Sequence, residues 1–269
     1  MTLLRVLGSG SSGNCIALEE DGGVLLLDAG FSAKEIESRA EDVGLDLGRL
    51  VGIAVTHEHG DHSKGAARLS AKYGVPVLGS KGTLESIVAG SVVELRTDRT
   101  TQIGPFTIET ATTSHDAAEP LAIAAWGPSQ TRVGLAVDLG RPTTTVRYLL
   151  QECAALVIEA NHDEIMLRQS AYPATVRARI AGAGGHLSNR QTAELLTELC
   201  HPHLGLVVLA HLSERCNAPD AARAAAQEAL TAAGFRGRLE VAPQHETLGP
   251  FTIAAQLPLQ LNEGTSSAA

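Results

Sequence analysis

The run Leu50-Val51-Gly52-Ile53-Ala54-Val55, followed at once by Thr56-His57-Glu58-His59-Gly60-Asp61-His62, limits this chain more than any other stretch. Its first half is short, apolar and free of charge, the pattern of a strand buried on both faces. Its second half gathers three imidazoles and Asp61 at the C-terminal end of that strand, where open α/β sheets bind their ligands. Histidine nitrogens and carboxylate oxygens suit Zn, Mn or Fe, and the lack of Cys argues against a closed structural zinc site. Four such side chains in one short loop do not all reach one ion. His57 and His59, two apart, can share one metal, leaving Asp61 and His62 to turn towards a second. Gly60 supplies the backbone freedom this needs.

Two similar motifs do not apply. A His-Glu-x-x-His helix would need His where Asp61 stands. Gly8-Ser9-Gly10-Ser11-Ser12-Gly13 matches the dinucleotide fingerprint, but Asn14 to Glu19 alternates like a strand instead of opening a helix. The Gly-rich segment reads as a strand-to-strand loop with backbone N–H groups able to face an anion.

Apolar residues make up 44% of the 269, enough for a full core, while aromatics are only 3%, so that core must be aliphatic. No apolar run approaches the ~20 residues that span a bilayer, and the N-terminus does not read as a signal peptide. Four scattered cysteines without a Cys-x-x-Cys pair fit a reducing cytoplasm. A formal net charge of -9 counts against a broad nucleic-acid-binding surface, though not a local one. Arg168, Arg177, Arg179 and Arg190 are the nearest candidates for such a patch, with an ordinary solvated helix face as the alternative. Cys200-His201-Pro202-His203 reads as a helix-end turn, not a second metal site.

Strands are expected near 3–7, 14–19, 24–28, 50–55, 75–78, 106–110, 121–126, 132–137, 154–159, 206–210, 238–242 and 251–255. Helices are expected over 33–43, 63–73, 80–89, 142–151, 163–170, 173–182, 189–200 and 219–233. Early hairpins followed by β–α alternation point to an α/β sandwich: two mixed sheets face to face with helices outside. No linker or repeat interrupts the pattern, so 1–262 reads as one domain and 263–269 as a disordered tail.

The loop's partners should come from other strand ends. Asp28, Asp138, Glu159-Ala160-Asn161-His162-Asp163 and His211 end apolar runs, His115 follows a strand and a Thr-rich turn, His186 follows a Gly turn, and Ser188 has the setting of a helix N-cap. His201, His203 and His245 lack such a setting. With these residues the chain resembles the metallo-β-lactamase fold superfamily, whose His-x-His-x-Asp-His signature is followed by isolated His, Asp and His ligands. The resemblance implies an αβ/βα four-layer sandwich with two divalent ions, Zn or Mn, at one edge. It implies that His57, His59 and His115 hold one ion, Asp61, His62 and His211 the other, and that Asp138 bridges them while Asp28 supports the loop.

Further motifs narrow the resemblance to the YycJ/WalJ-like exonuclease family: Ser9-Gly10-Ser11-Ser12-Gly13-Asn14-Cys15, Ser114-His115-Asp116-Ala117, Val137-Asp138-Leu139-Gly140, Glu159-Ala160-Asn161-His162-Asp163, Gly185-His186-Leu187-Ser188-Asn189 and Leu209-Ala210-His211-Leu212-Ser213. That family is described as cytoplasmic 5′→3′ exonucleases on double-stranded DNA. Cys216-Asn217 departs from its usual Asn-Asn. tRNase Z and the PhnP cyclic phosphodiesterase are similar relatives, each with a histidine shortly before the last ligand, the place of His186 here. The resemblance implies a phosphodiesterase in which Asp61 orients the attacking water, His186 stabilises or protonates the leaving oxygen, and His162 contacts the same phosphate. Ser9, Ser11, Ser12, Asn14 and Ser188 are the candidates to meet a substrate phosphate. DNA is the favoured partner. RNA or cyclic-phosphate hydrolysis is an alternative with the same ligands, and a non-catalytic metal-binding scaffold is another.

Overall fold

Strands that are apolar on both faces need a covering layer on each side. The computed structural model describes residues 1–253 and supplies those layers; the expected tail at 263–269, and 254–262 before it, lie outside the described residues. Along the first half run β1 (Thr2–Gly8), β2 (Cys15–Glu20), β3 (Gly23–Leu27), α1 (Ala33–Asp42), β4 (Leu50–Ala54), α2 (Gly60–Ser63), α3 (Ala66–Tyr73), β5 (Val77–Gly79), α4 (Lys81–Ser86), β6 (Val92–Glu94), β7 (Thr101–Ile103) and β8 (Phe106–Thr112). Then come β9 (Leu121–Trp126), β10 (Val133–Ala136), α5 (Thr144–Leu150), β11 (Ala155–Glu159), α6 (Glu164–Gln169), α7 (Ala174–Ile180), α8 (Asn189–Leu199), β12 (Leu206–Ala210), α9 (Pro219–Ala232), β13 (Arg238–Val241) and β14 (Leu248–Ile253).

The strands form two seven-stranded mixed sheets, in the orders β14-β1-β2-β3-β4-β5-β6 and β13-β12-β11-β10-β9-β8-β7. Period-2 alternation assigns each face. Leu4, Val6, Leu25 and Leu27 of the first sheet meet Val157, Leu206 and Val208 of the second in a central core. The intervening Leu7, Val24 and Leu26 turn outward onto Ile36 of α1 and Leu69 of α3. Leu156, Ile158, Val207 and Leu209 turn outward onto Val146 of α5, Leu195 of α8 and Ala226 of α9. The order is helix, sheet, sheet, helix: the four-layer αβ/βα sandwich. Strands β6 and β7 were not expected; they are edge strands of only three residues, too short to show a period in the sequence. The strand expected at 251–255 begins three residues earlier, at Leu248, and pairs antiparallel with β1.

This topology sets the C-terminal ends of β3, β4, β8, β10, β11 and β12 along one rim. A backbone bond from Leu121 N–H to Thr56 O ties the two sheets together there.

Candidate metal centre

Each strand ends in a kink that aims a polar side chain at one point. Asp28, Asp138 and His211, directly after β3 or shortly past the ends of β10 and β12, have left-handed backbones with φ of 62°, 52° and 56°. Asp and His tolerate this region better than most residues, but each such position costs about 1–3 kcal/mol and survives only when its surroundings enforce it. After β4 the chain passes Thr56 and His57, and His59 then caps the single turn α2 that carries Asp61 and His62. Gly30 lets this turn approach: a Cβ there would stand 1.7 Å from the Asp61 carbonyl oxygen.

The structure brings His57, His59 and His115 together, with one ligand atom from each within 4.8 Å of the others. Asp61, His62 and His211 form a second such group, and His57, His62 and Asp138 a third that joins the two. Hydrogen bonds behind the rings fix which nitrogen faces inward. His62 Nδ1 lies 2.7 Å from Asp28 Oδ2, and His211 Nδ1 lies 3.0 Å from Glu159 Oε1. A carboxylate only accepts, so both Nδ1 atoms carry protons and both Nε2 atoms point to the centre. His115 Nδ1 is 3.3 Å from the Gly185 carbonyl oxygen, which sets the same tautomer. Thr56 Oγ1 donates to Asp28, so it accepts from His57 Nδ1 at 3.0 Å. Asp28 therefore orients His62 directly and His57 through Thr56.

Burial drives the His57 imidazole down to about 2, with the neighbouring imidazoles adding to the shift. Burial also disfavours charge on His62, His186 and His211, but adjacent carboxylates prevail. Asp28 and Asp138 hold His62 well above its usual range, Asp138, Asp61 and Glu159 lift His211 to about 9, and Glu159 and Asp138 lift His186 to about 10. The same imidazoles hold Asp138 and Asp61 well below the usual carboxylate range against the opposing effect of burial. A metal bound at the Nε2 atoms of His62 and His211 would therefore compete with protons there.

A cation fits. Asp138 Oδ2 sits 2.7 Å from His62 Nε2, yet it is buried with no aligned hydrogen bond, and His211 Nε2 is likewise buried and unpartnered. Such orphaned atoms are rare, and here they share one focus. The N/O donor set suits a divalent metal ion.

His186 stands differently. Its side chain is 22% exposed, and its Nδ1 lies 2.8 Å from Glu159 Oε1 and 3.1 Å from Asp138 Oδ1. It also belongs to a fourth group of possible ligands with Asp138, Glu159 and His211. Those contacts are at hydrogen-bond distance, so a proton accounts for them. The sequence places Glu159 at a strand end, in a family motif and among the acids a cation could offset, but does not reveal its two imidazole partners. It is fully buried and held at about 2 by the charges and hydrogen bonds of His186 and His211 against the effect of burial. Its Oε1 serves both imidazoles while Oε2 accepts the N–H groups of Leu139 and Leu187 at 2.8 and 3.0 Å.

Several expected phosphate contacts are otherwise engaged. Ser9 is buried, donating to Asn14 Oδ1 and accepting the His211 N–H, while Asn14 donates to the Asp61 carbonyl. Ser188 is buried as the N-cap of α8 and donates to Glu164. These three side chains tie the rim loops together, while Ser11 and Ser12 are exposed. The Gly-rich segment is a β1–β2 loop, as expected. His162 is buried but lies outside the metal-competent groups. The Cys216 carbonyl accepts the Asp163 N–H and Asn217 bonds Asn189, so the Cys216-Asn217 departure falls on a packed loop. His201 and His203 join no metal-competent group among the described residues.

Residues 8–141 match the model of the metallo-beta-lactamase superfamily. Exodeoxyribonuclease YycJ of Bacillus anthracis is 33% identical over 242 residues, 86% of this chain and 89% of that protein. Exodeoxyribonuclease WalJ of Streptococcus pneumoniae is 32% identical over 221 residues, 79% of this chain and 82% of that protein. In fold, the chain is similar to the metallo-beta-lactamase fold protein YhfI of Bacillus subtilis, at a TM-score of 0.70, 17% identity, and coverage of 93% and 100% of the two chains. The chain therefore belongs to the metallo-beta-lactamase superfamily and, within it, to the YycJ/WalJ family.

Proposed function

We propose that this protein is a phosphodiesterase that shortens double-stranded DNA from its 5′ ends, using two divalent ions, Zn or Mn. It is a metal-dependent hydrolase, and the observation that carries the finer reading is the convergence of His57, His59, His115, Asp61, His62 and His211 around Asp138. Relatives named exodeoxyribonucleases at 32–33% identity support DNA as the substrate. When bound, such an ion pair supplies Lewis acidity to a phosphoryl oxygen and makes a neighbouring water more acidic.

The chain's own groups do the rest. Asp61, 29% exposed in its side chain, is placed to accept a hydrogen bond from the attacking water. His186 keeps Nδ1–H on Glu159, which leaves Nε2 as the proton donor to a departing oxygen. Its partial exposure, 22% of the side chain, supports catalysis over a scaffold role, since a substrate can reach it. All four cysteines are unpaired, and no helix among the described residues is long and apolar enough to cross a membrane; the free thiols support a reducing cytoplasm.

The test is a comparison of end-labelled linear duplex DNA, structured RNA and a 2′,3′-cyclic phosphate with Mn²⁺ or Zn²⁺. Shortening of the duplex from its 5′ ends is expected. Turnover of RNA or the cyclic ester beside intact duplex would overturn the DNA assignment.

A further inference from the structure

Beside the metal centre, α6, α7 and the first turn of α8 enclose a cleft of ≈ 390 Å³. His162, Arg168, Arg177 and Arg190 line it, with Glu164 as its one acidic wall residue. Its lining thus carries three arginines and one glutamate, in a chain whose net charge is -9.

The cationic groups differ in how free they are. Arg190 is held by Glu164 and Glu194, and Arg177 donates to the carbonyl oxygens of Ser170 and Tyr172. Arg168 has no hydrogen bond or ion pair among the described residues, although Glu164 is close by. His162 is 2% exposed, yet its Nδ1 has no hydrogen-bond partner. When it carries the ring proton, this buried nitrogen in the wall of a basic cleft is a donor left for an acceptor from outside the chain. The site also has a fixed position relative to the chemistry. His162 bridges to Ser188, two residues beyond His186, and its carbonyl accepts the Asn189 N–H at 2.8 Å. Arg179, by contrast, turns away from the cleft to pair with Asp116 beside His115.

We propose that this cleft is a second phosphate subsite, which holds a phosphate of the substrate strand adjacent to the one being cleaved. The proposal rests on the phosphodiesterase reading and adds to it a recognition site formed by Arg168, Arg177 and His162. Two sources have the same chemistry, a terminal 5′-phosphate and an internal phosphodiester. Arg168 is the residue to change because it is exposed and unpaired, so its loss leaves folding intact.

The metal-loaded protein is assayed on duplexes bearing a 5′-phosphate or a 5′-hydroxyl. Arg236→Ala, a change of equal charge at a residue outside this cleft, serves as the control. Arg168→Ala should raise KM about tenfold, the order of one charge-assisted contact, with kcat within about twofold. Arg168→Lys should recover much of the loss, and Arg236→Ala should stay near wild type. A loss confined to the 5′-phosphorylated duplex assigns the terminal phosphate, and an equal loss on both assigns an internal one. Equal KM values for Arg168→Ala and Arg236→Ala would overturn the subsite. Inorganic phosphate titrated calorimetrically into the metal-loaded protein tests the cleft without any nuclease activity. Two classes of site are expected, with one lost in Arg168→Glu and kept in Arg236→Glu. A single class in the wild type would refute the subsite even if the duplex is cut, and two classes would sustain it even if it is not.

Discussion

Glu159→Gln changes one buried atom and should disable the centre through its proton positions. In the wild type, Oε2 accepts two backbone N–H groups and Oε1 accepts from His186 Nδ1 and His211 Nδ1. The amide has one oxygen and one NH₂. Backbone N–H groups cannot change their protonation, whereas imidazoles can, so the amide oxygen should keep Leu139 and Leu187 and the NH₂ should face the two rings. Facing an N–H donor, His186 and His211 are pushed to accept at Nδ1 against the pull of Asp138 Oδ1, 3.1 and 3.2 Å away, which moves their protons to Nε2. A protonated Nε2 on His211 no longer binds a metal, and His186 becomes neutral. Two charge-assisted hydrogen bonds are lost, about 3–6 kcal/mol at roughly 1.5–3 kcal/mol each. Loss of such an orienting partner typically costs about 10–100-fold in metal affinity, and loss of the acid a further ~10²-fold in turnover. Chelator competition reads the affinity, turnover of a small phosphodiester reads the chemistry, and circular dichroism checks the fold. A folded Glu159→Gln that binds metal with wild-type affinity and turns over at near-normal kcat would refute this account.

Asp138→Ala should abolish turnover on every substrate, because it removes the group shared by both sets of ligands; near-normal kinetics would show the ligand assignment to be wrong. Asp28→Ala should weaken metal retention before it affects the fold, since Asp28 sets the tautomers of His62 and, through Thr56, His57; dialysis followed by elemental analysis reads this, and unchanged retention counts against it. His186→Ala should keep its metals and lose about 10²-fold or more in kcat, whereas metal loss in this variant would make His186 a ligand. Metal affinity should rise with pH, because binding displaces protons from His62, held above its usual range, and from His211, lifted to about 9, while His57, driven to about 2, has none to lose. Competition with a chromophoric chelator at several pH values checks this, and a flat profile would contradict it.

The strand ends are legible in the sequence because both faces of β3, β4, β10, β11 and β12 are buried, which leaves unbroken apolar runs that stop at a polar residue. The loop from His57 to His62 is legible because its donors are adjacent in the chain. Glu159 is not, since its partners lie 27 and 52 residues away and no local spacing links one carboxylate to two distant imidazoles. Ser9, Asn14 and Ser188 show the converse problem. A polar residue in a Gly-rich loop looks the same in sequence whether it faces a ligand or, as here, ties one rim loop to another. The four arginines are likewise equivalent in sequence, and only packing separates Arg179, paired with Asp116, from Arg168 in the cleft.

The claim on which all of this depends is that two half-sites joined by Asp138 act together. Metal-free protein titrated with Mn²⁺ or Zn²⁺, with bound metal and phosphodiester turnover measured in the same samples, tests it most directly. Activity should stay low through the first equivalent and rise with the second, and Asp138→Ala should show no such rise. Full activity at one equivalent, or a stoichiometry that never exceeds one under any loading, would contradict the two-metal centre.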